Sequence, residues 1–190
     1  MADAKIVNMV AKTRFVDNLD INAVADDLEI EYEQEQFPGM VYRCKDPVIT
    51  ILLFRSGNAV ATGATCATDV EKAFKILWEE LNDLKYTLWP WTDVASTIEL
   101  QNIVVTHNHN RELNLNRLIW TLPFEKTEYE PEQFPGLILR LETPKAACLV
   151  FSSGKCVITG CRSVEDTKKA VTLLDEMLME AQPHDIDYEE

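Results

Sequence analysis

Basic residues are scarce in this chain: 18 Lys plus Arg stand against 32 Asp plus Glu, a net charge of −14 with a pI near 4.6. So acidic a surface repels polyanions unless its few cations gather on one face, and composition alone therefore speaks against a nucleic-acid binder. No apolar run reaches the roughly 18 to 20 residues of a membrane span, and the opening MADAKIVNMV has no basic flank leading into an apolar signal segment, so no membrane partner is expected. Cys44, Cys66, Cys148, Cys156 and Cys161 are odd in number and contain no C-x-x-C pair, which fits neither a disulfide framework nor a zinc knuckle. Reduced thiols in a cytoplasmic protein are the simpler reading. Also missing are a Gly-rich phosphate loop, a G-x-S-x-G elbow and an H-E-x-x-H pair, and no two of the carboxylates are marked out by spacing. These absences point away from an enzyme, a cofactor, a metal or a small-molecule substrate.

What the chain has is a repeat, and a repeat changes the meaning of every motif inside it. Residues 31–63, EYEQEQFPGMVYRCKDPVITILLFRSGNAVATG, align without gaps on residues 128–160, EYEPEQFPGLILRLETPKAACLVFSSGKCVITG, at an offset of 97, with 17 identical pairs in 33. Upstream, KIVNMVAKT around Asn8 answers ELQNIVVTH around Asn102 at an offset of 94, so the second copy holds three extra residues before its F-P-G. Copy one spans 1–93 and copy two 94–181, followed by an acidic tail over 182–190. Copies of this length are too long for a short solenoid unit and suggest two pseudo-symmetric halves.

Each half reads the same way. A strand over Ile6 to Lys12 precedes a helix capped by Asp20, with Ile21, Val24, Ala25 and Leu28 at helical spacing. A turn at Phe37-Pro38-Gly39 leads into strand runs over Met40 to Cys44, Val48 to Phe54 and Ala59 to Thr62. A long helix closes the half. Thr68 with Glu71 suggests a capping box, and Val70, Phe74, Leu77, Trp78 and Leu81 form its apolar stripe. In copy two this helix runs from about Ser163 through Ala181, with Val164, Val171, Leu174 and Leu178 on one face.

Strands joined by short turns make an antiparallel sheet, and helices packed on it cover one face. Strand alternation sets Ile51 and Leu53 against Leu52 and Phe54, and Ala59 and Ala61 against Val60 and Thr62. Both faces are apolar, and Leu149, Phe151, Val157 and Thr159 repeat the pattern in copy two. Such a second face needs a partner surface, because the chain has no elements left to cover it.

The repeated motifs N-I/M-V, E-x-E-Q-F-P-G, R followed by P, L-x-F-x-S-G and V-x-T-G resemble those of the TATA-box-binding proteins, of the archaeal kind, over about Ala4 to Met179. The resemblance implies an α+β, saddle-shaped fold with a curved ten-stranded antiparallel sheet, four helices on its convex face and DNA on its underside. It implies a general transcription initiation factor that binds the minor groove of an A/T-rich TATA box in double-stranded DNA, bends it by phenylalanine wedging, and recruits transcription factor B and, indirectly, RNA polymerase. It also implies residence in the cytoplasm of an archaeal cell, associated with the nucleoid. On this resemblance Asn8 and Asn102 form the central pair, Val10 and Val104 the floor beside them, and Leu52, Val60, Thr62, Leu149, Val157 and Thr159 the surrounding base and sugar contacts. Phe37 with Phe54, and Phe134 with Phe151, match the wedging pairs. Arg43, Arg140 and Lys155 match phosphate contacts, and Glu130, Glu132 and Gln133 match the surface for transcription factor B.

Basic residues depart from the pattern. Copy one has Asn58 where copy two has Lys155, and Val48 where copy two has Lys145, so weaker phosphate neutralisation is expected in copy one. This leaves an alternative, a divergent paralogue acting mainly as a protein adaptor with weak DNA binding, and a third reading, an accessory saddle-like domain. His107 and His109 share a strand face, but with no third ligand nearby in sequence they make a weak metal site. Trp89 and Trp91 fall in the linker between copies, where packing is expected.

Overall fold

The computed structural model describes residues 4–182, which divide into two compact units. One is Val7–Asn102; the other joins the described residues from Ile103 onward to those before Val7. In chain order the elements are β1 (Lys5–Arg14), α1 (Ile21–Asp27), β2 (Gly39–Lys45), β3 (Val48–Phe54), β4 (Asn58–Ala64), α2 (Ala67–Asp83), α3 (Trp91–Ser96), β5 (Glu99–Asn108), α4 (Leu115–Thr121), β6 (Thr127–Glu128), β7 (Leu137–Glu142), β8 (Lys145–Val150), β9 (Lys155–Cys161) and α5 (Val164–Ala181). A 3-10 turn over Phe124–Lys126 precedes β6. The acidic segment 183–190 lies outside the described residues.

In the first unit the strand order is β2-β3-β4-β1, all antiparallel, and in the second β5-β9-β8-β7-β6. Strand alternation holds as expected. Ile51, Leu53, Ala59 and Ala61 are fully buried on the side covered by α2, whereas Leu52, Phe54, Val60 and Thr62 stay partly open on the other. The second unit repeats this under α5, with Cys148, Val150, Cys156 and Ile158 inside and Leu149, Phe151, Val157 and Thr159 outside. Phe15 meets Phe74 edge-on, with centroids 6.2 Å apart, at the centre of the first core.

The α+β class and antiparallel sheet agree with expectation, but the counts differ. Among the described residues the strands number 4 + 5 = 9 rather than ten, and the α-helices five rather than four. The missing strand is the first-unit counterpart of β6. There the N–H of Ile30 bonds Ala25 O (2.8 Å) and Glu29 turns left-handed (φ 53°), so that stretch closes α1 instead of pairing with β2. The added helix is α3, in the linker. Its Val94 is fully buried, and the Val94 carbonyl accepts from Thr13 Oγ1 at 2.8 Å. Trp91 packs on Trp78 with centroids 6.1 Å apart, and Arg14 lies over Trp89, so both linker tryptophans are held within their unit.

Helix caps follow the sequence except at α2. Asp20 accepts from Ala23 N and Asn114 from Arg117 N. Ser163 accepts from Asp166 N at the start of α5. The expected Thr68–Glu71 capping box does not form: Cys66 is the N-cap of α2 and makes no side-chain cap bond, and Thr68 already lies within the first turn. Val164, expected on the inner stripe of α5, is 37% exposed, and Thr167 is buried in that first turn instead.

Candidate nucleic-acid interface

The candidate surface is the sheet face that no helix of its unit covers. In the first unit the register lines up Val41, Leu52, Val60 and Lys12 in one row and Arg43, Thr50, Thr62 and Val10 in the next. In the second, Ile138, Leu149, Val157 and Thr106 form the matching row, with Arg140, Ala147 and Thr159 beside it. Of the residues expected at the interface, Leu52, Val60, Thr62, Val10, Arg43, Leu149, Val157, Thr159 and Arg140 all fall on these rows. Val104 and Asn102 alternate with buried Ile103 on β5. Val41 and Ile138 share the rows and are absent from the sequence expectation. Their place becomes visible only with the register.

Asn8 is oriented by the backbone. Gly63 N–H donates to Asn8 Oδ1 at 2.8 Å, which leaves the amide NH2 with only a long 3.5 Å contact to Thr62 Oγ1. A donor is thus presented on the open face. The glycine closing V-x-T-G supplies that N–H, a role the repeated motif signals only by its recurrence.

The four phenylalanines assemble as two pairs. Phe37 meets Phe54 with centroids 6.2 Å apart and planes at 62°, and Phe134 meets Phe151 at 5.8 Å and 65°. Each pair stands over the glycine of its F-P-G. A Cβ on Gly39 would lie 2.9 Å from Cε1 of both Phe37 and Phe54, and one on Gly136 would lie 2.7 Å from Phe134 Cε1. The preceding turns are alike, with Phe37 N donating to Glu33 O and Phe134 N to Glu130 O. Glu130, Glu132 and Gln133 are all exposed on the second turn; in the first, Gln36 Nε2 donates to Glu33.

Cations at the rim differ between units. Lys145 and Lys155 are exposed in the second, and Arg140 pairs with Glu128 at 3.3 Å. In the first, Val48 is 82% exposed and Asn58 bonds Ser56. Exposed Lys45 and Arg55, however, stand where the second copy has Glu142 and Ser152, so positive charge in the first unit is relocated as well as reduced. Lys12 and Arg14 on β1 are tied to Glu99 and Asp17.

The cysteines are not a second site. Burial, with neighbouring thiols adding to it, pushes Cys148 up to about 12. Burial first and the Asp175 charge second do the same for Cys156. Asp175 of α5 brings a carboxylate to His107 and His109, a third group that local sequence spacing hides. Even so, among the described residues no three His, Cys, Asp or Glu side chains are arranged to hold a metal ion.

The family model described as "Transcription factor TFIID (or TATA-binding protein, TBP)" matches residues 3–84 and 97–181, both copies of the repeat. The chain belongs to this family. TATA-box-binding proteins from Natronomonas pharaonis and Methanocaldococcus jannaschii are 45% and 44% identical to it. The first match covers 87% of each chain, the second 95% of this chain and 96% of the relative. A solved structure titled "Methanococcus jannaschii TBP" superposes with a TM-score of 0.82 at 43% identity, covering 94% of this chain and 99% of that one. The family is one of transcription factors rather than enzymes. Among the described residues no helix is long and apolar enough to cross a membrane.

Proposed function

We propose that this chain is a general transcription initiation factor that lays its open sheet faces on the minor groove of an A/T-rich TATA box in double-stranded DNA. The observation that carries the reading is the pair of edge-to-face phenylalanine couples, each seated over a glycine at the border of an open, largely apolar face. The minor groove of A·T pairs offers the A N3 and T O2 acceptors, which suit the amide donors of Asn8 and Asn102 among valines, leucines and threonines. Phe37, Phe54, Phe134 and Phe151 wedge into base steps, and the unstacking cost of a few kcal/mol per step is offset by the contact that a bent duplex allows. TATA-box-binding proteins are themselves a standard example of that exchange. Flexible pyrimidine–purine steps such as TA are the preferred sites.

Arg43, Arg140 and Lys155 serve the phosphates. The exposed turn carrying Glu130, Glu132 and Gln133 recruits transcription factor B through a basic surface of that partner, and RNA polymerase follows indirectly. Titrating the protein into an end-labelled TATA duplex and following fluorescence transfer between the ends, with and without transcription factor B at two salt concentrations, tests this reading. Bending by the protein alone supports it. Binding only in the presence of the partner supports the adaptor alternative.

A further inference from the structure

His107 on β5 and His109 just past its end alternate with the open-face residues Thr106 and Asn108, and their side chains are only 4% and 5% exposed. Both reach one atom: His107 Nε2 lies 2.9 Å and His109 Nδ1 2.7 Å from Oδ1 of Asp175 on α5. Their other nitrogens, His107 Nδ1 and His109 Nε2, are buried without a hydrogen-bond partner among the described residues. In the first copy the corresponding residues are Thr13, Phe15 and Trp78, so packing a helix on this sheet does not itself require ionisable groups.

We propose that the His107–Asp175–His109 cluster is a proton-operated latch joining β5 to α5, closed while at most one imidazole is charged and opened by the second proton. Counting charge gives the reason. When both rings are neutral, each donates its single N–H to Asp175, which fixes opposite tautomers: Nε2–H on His107 and Nδ1–H on His109. One imidazolium makes a compensated pair with the carboxylate. Two leave a net positive charge on two buried rings that share one carboxylate, itself 31% exposed, each ring also carrying a buried N–H without an acceptor, and the rings relieve this by opening to water. Cys156, which faces Asp175 from β9 as a neutral thiol, does not supply the missing charge. Asp175 itself is pushed upward by burial, but the hydrogen bonds and charges of the two histidines outweigh this and hold it below its ordinary value, so it stays ionised while the rings charge.

Opening is read from amide hydrogen exchange of β5 and α5 in the full chain without DNA, corrected for intrinsic rates, from about pH 7.5 to about pH 5. In the wild type the exchange of these amides is slowest where the closed cluster holds its first, compensated proton, and it rises several-fold from that minimum toward the acid end as the open form takes up the second. His107→Gln and His109→Gln each leave one imidazole opposite one carboxylate, so the acid response disappears. Asp175→Asn moves the response the other way, to higher pH, because the first proton is already uncompensated. Profiles that superpose for all four proteins, or variants weakened equally at every pH, overturn the latch and leave a packing role. Should a variant fail to fold, 15N imidazole spectra of the wild type at neutral pH still decide: the same tautomer on both rings refutes the shared-oxygen arrangement.

Discussion

Phe134 and Phe151 meet edge-to-face above Gly136, whose absent Cβ would lie 2.7 Å from Phe134 Cε1. The glycine of F-P-G thus gives the pair room, and the turn and the proposed wedge depend on each other. Gly136→Ala pushes the partly exposed Phe134 ring aside with little loss of stability, because the atom it meets is the far end of a side chain that can swing away. A thermal melt shows the chain still folded, while fluorescence transfer across a TATA duplex shows reduced bending. Gly39→Ala acts on Phe37 and Phe54 in the same way. Undiminished bending by both variants contradicts the wedge.

If the rim cations meet phosphates, they set the salt dependence of binding. Removing Lys155 lowers the slope of log K against log salt by roughly one unit. Adding Val48→Lys and Asn58→Lys raises affinity mainly at low salt. Arg55→Ala tests whether the relocated charge of the first unit reaches a phosphate, since a slope smaller by about one unit indicates contact and an unchanged slope indicates none. Filter binding or anisotropy at several salt concentrations reads all of these.

Charge reversal at Glu130 and Glu132 separates partner from DNA. Both are exposed on the turn before Phe134 and make no ion pair among the described residues, so Glu130→Lys with Glu132→Lys leaves the fold and DNA bending intact. A gel shift then shows the binary complex and no ternary complex with transcription factor B.

Cys66 occupies the N-cap of α2 without a cap bond, whereas Ser163 caps α5 through Asp166 N at 3.0 Å. Cys66→Ser therefore stabilises the chain by about 1 kcal/mol, measured as a shifted urea midpoint. In the native wild type at pH 8, alkylation labels half-buried Cys66, while Cys148 and Cys156, pushed up to about 12, stay unreacted. The sign is direct: a thiol whose folded value is raised is almost entirely protonated at that pH, and the thiolate is the nucleophile.

Much of this molecule was legible in its sequence because the repeat states each motif twice. Period-two alternation in TILLF and AVATG separates the two sheet faces residue by residue, and the family resemblance carried by F-P-G and L-x-F pairs the phenylalanines. What was hidden depends on three-dimensional register or on weak local preference. Val41 and Ile138 join the open face only through pairing with Leu52 and Leu149. Asp175 reaches His107 and His109 across 68 and 66 residues, a distance no local motif spans. The loss of one strand turned on Glu29 adopting a left-handed conformation, and the six-residue α3 depends on tertiary support through Val94 and Trp91 rather than on helix propensity.

The acidity that first argued against DNA is compatible with open faces built from asparagine, valine, leucine, threonine and phenylalanine. The proposed binding would rest on apolar fit and deformation, with few cations at the rim. The most direct measurement is end-to-end fluorescence transfer on a TATA duplex titrated with the chain alone, beside a variant carrying Phe54→Ala and Phe151→Ala. The expected result is saturable bending by the wild type and none by the variant at concentrations that saturate the wild type. Equal bending by both, or no bending by the wild type at any salt concentration, contradicts it.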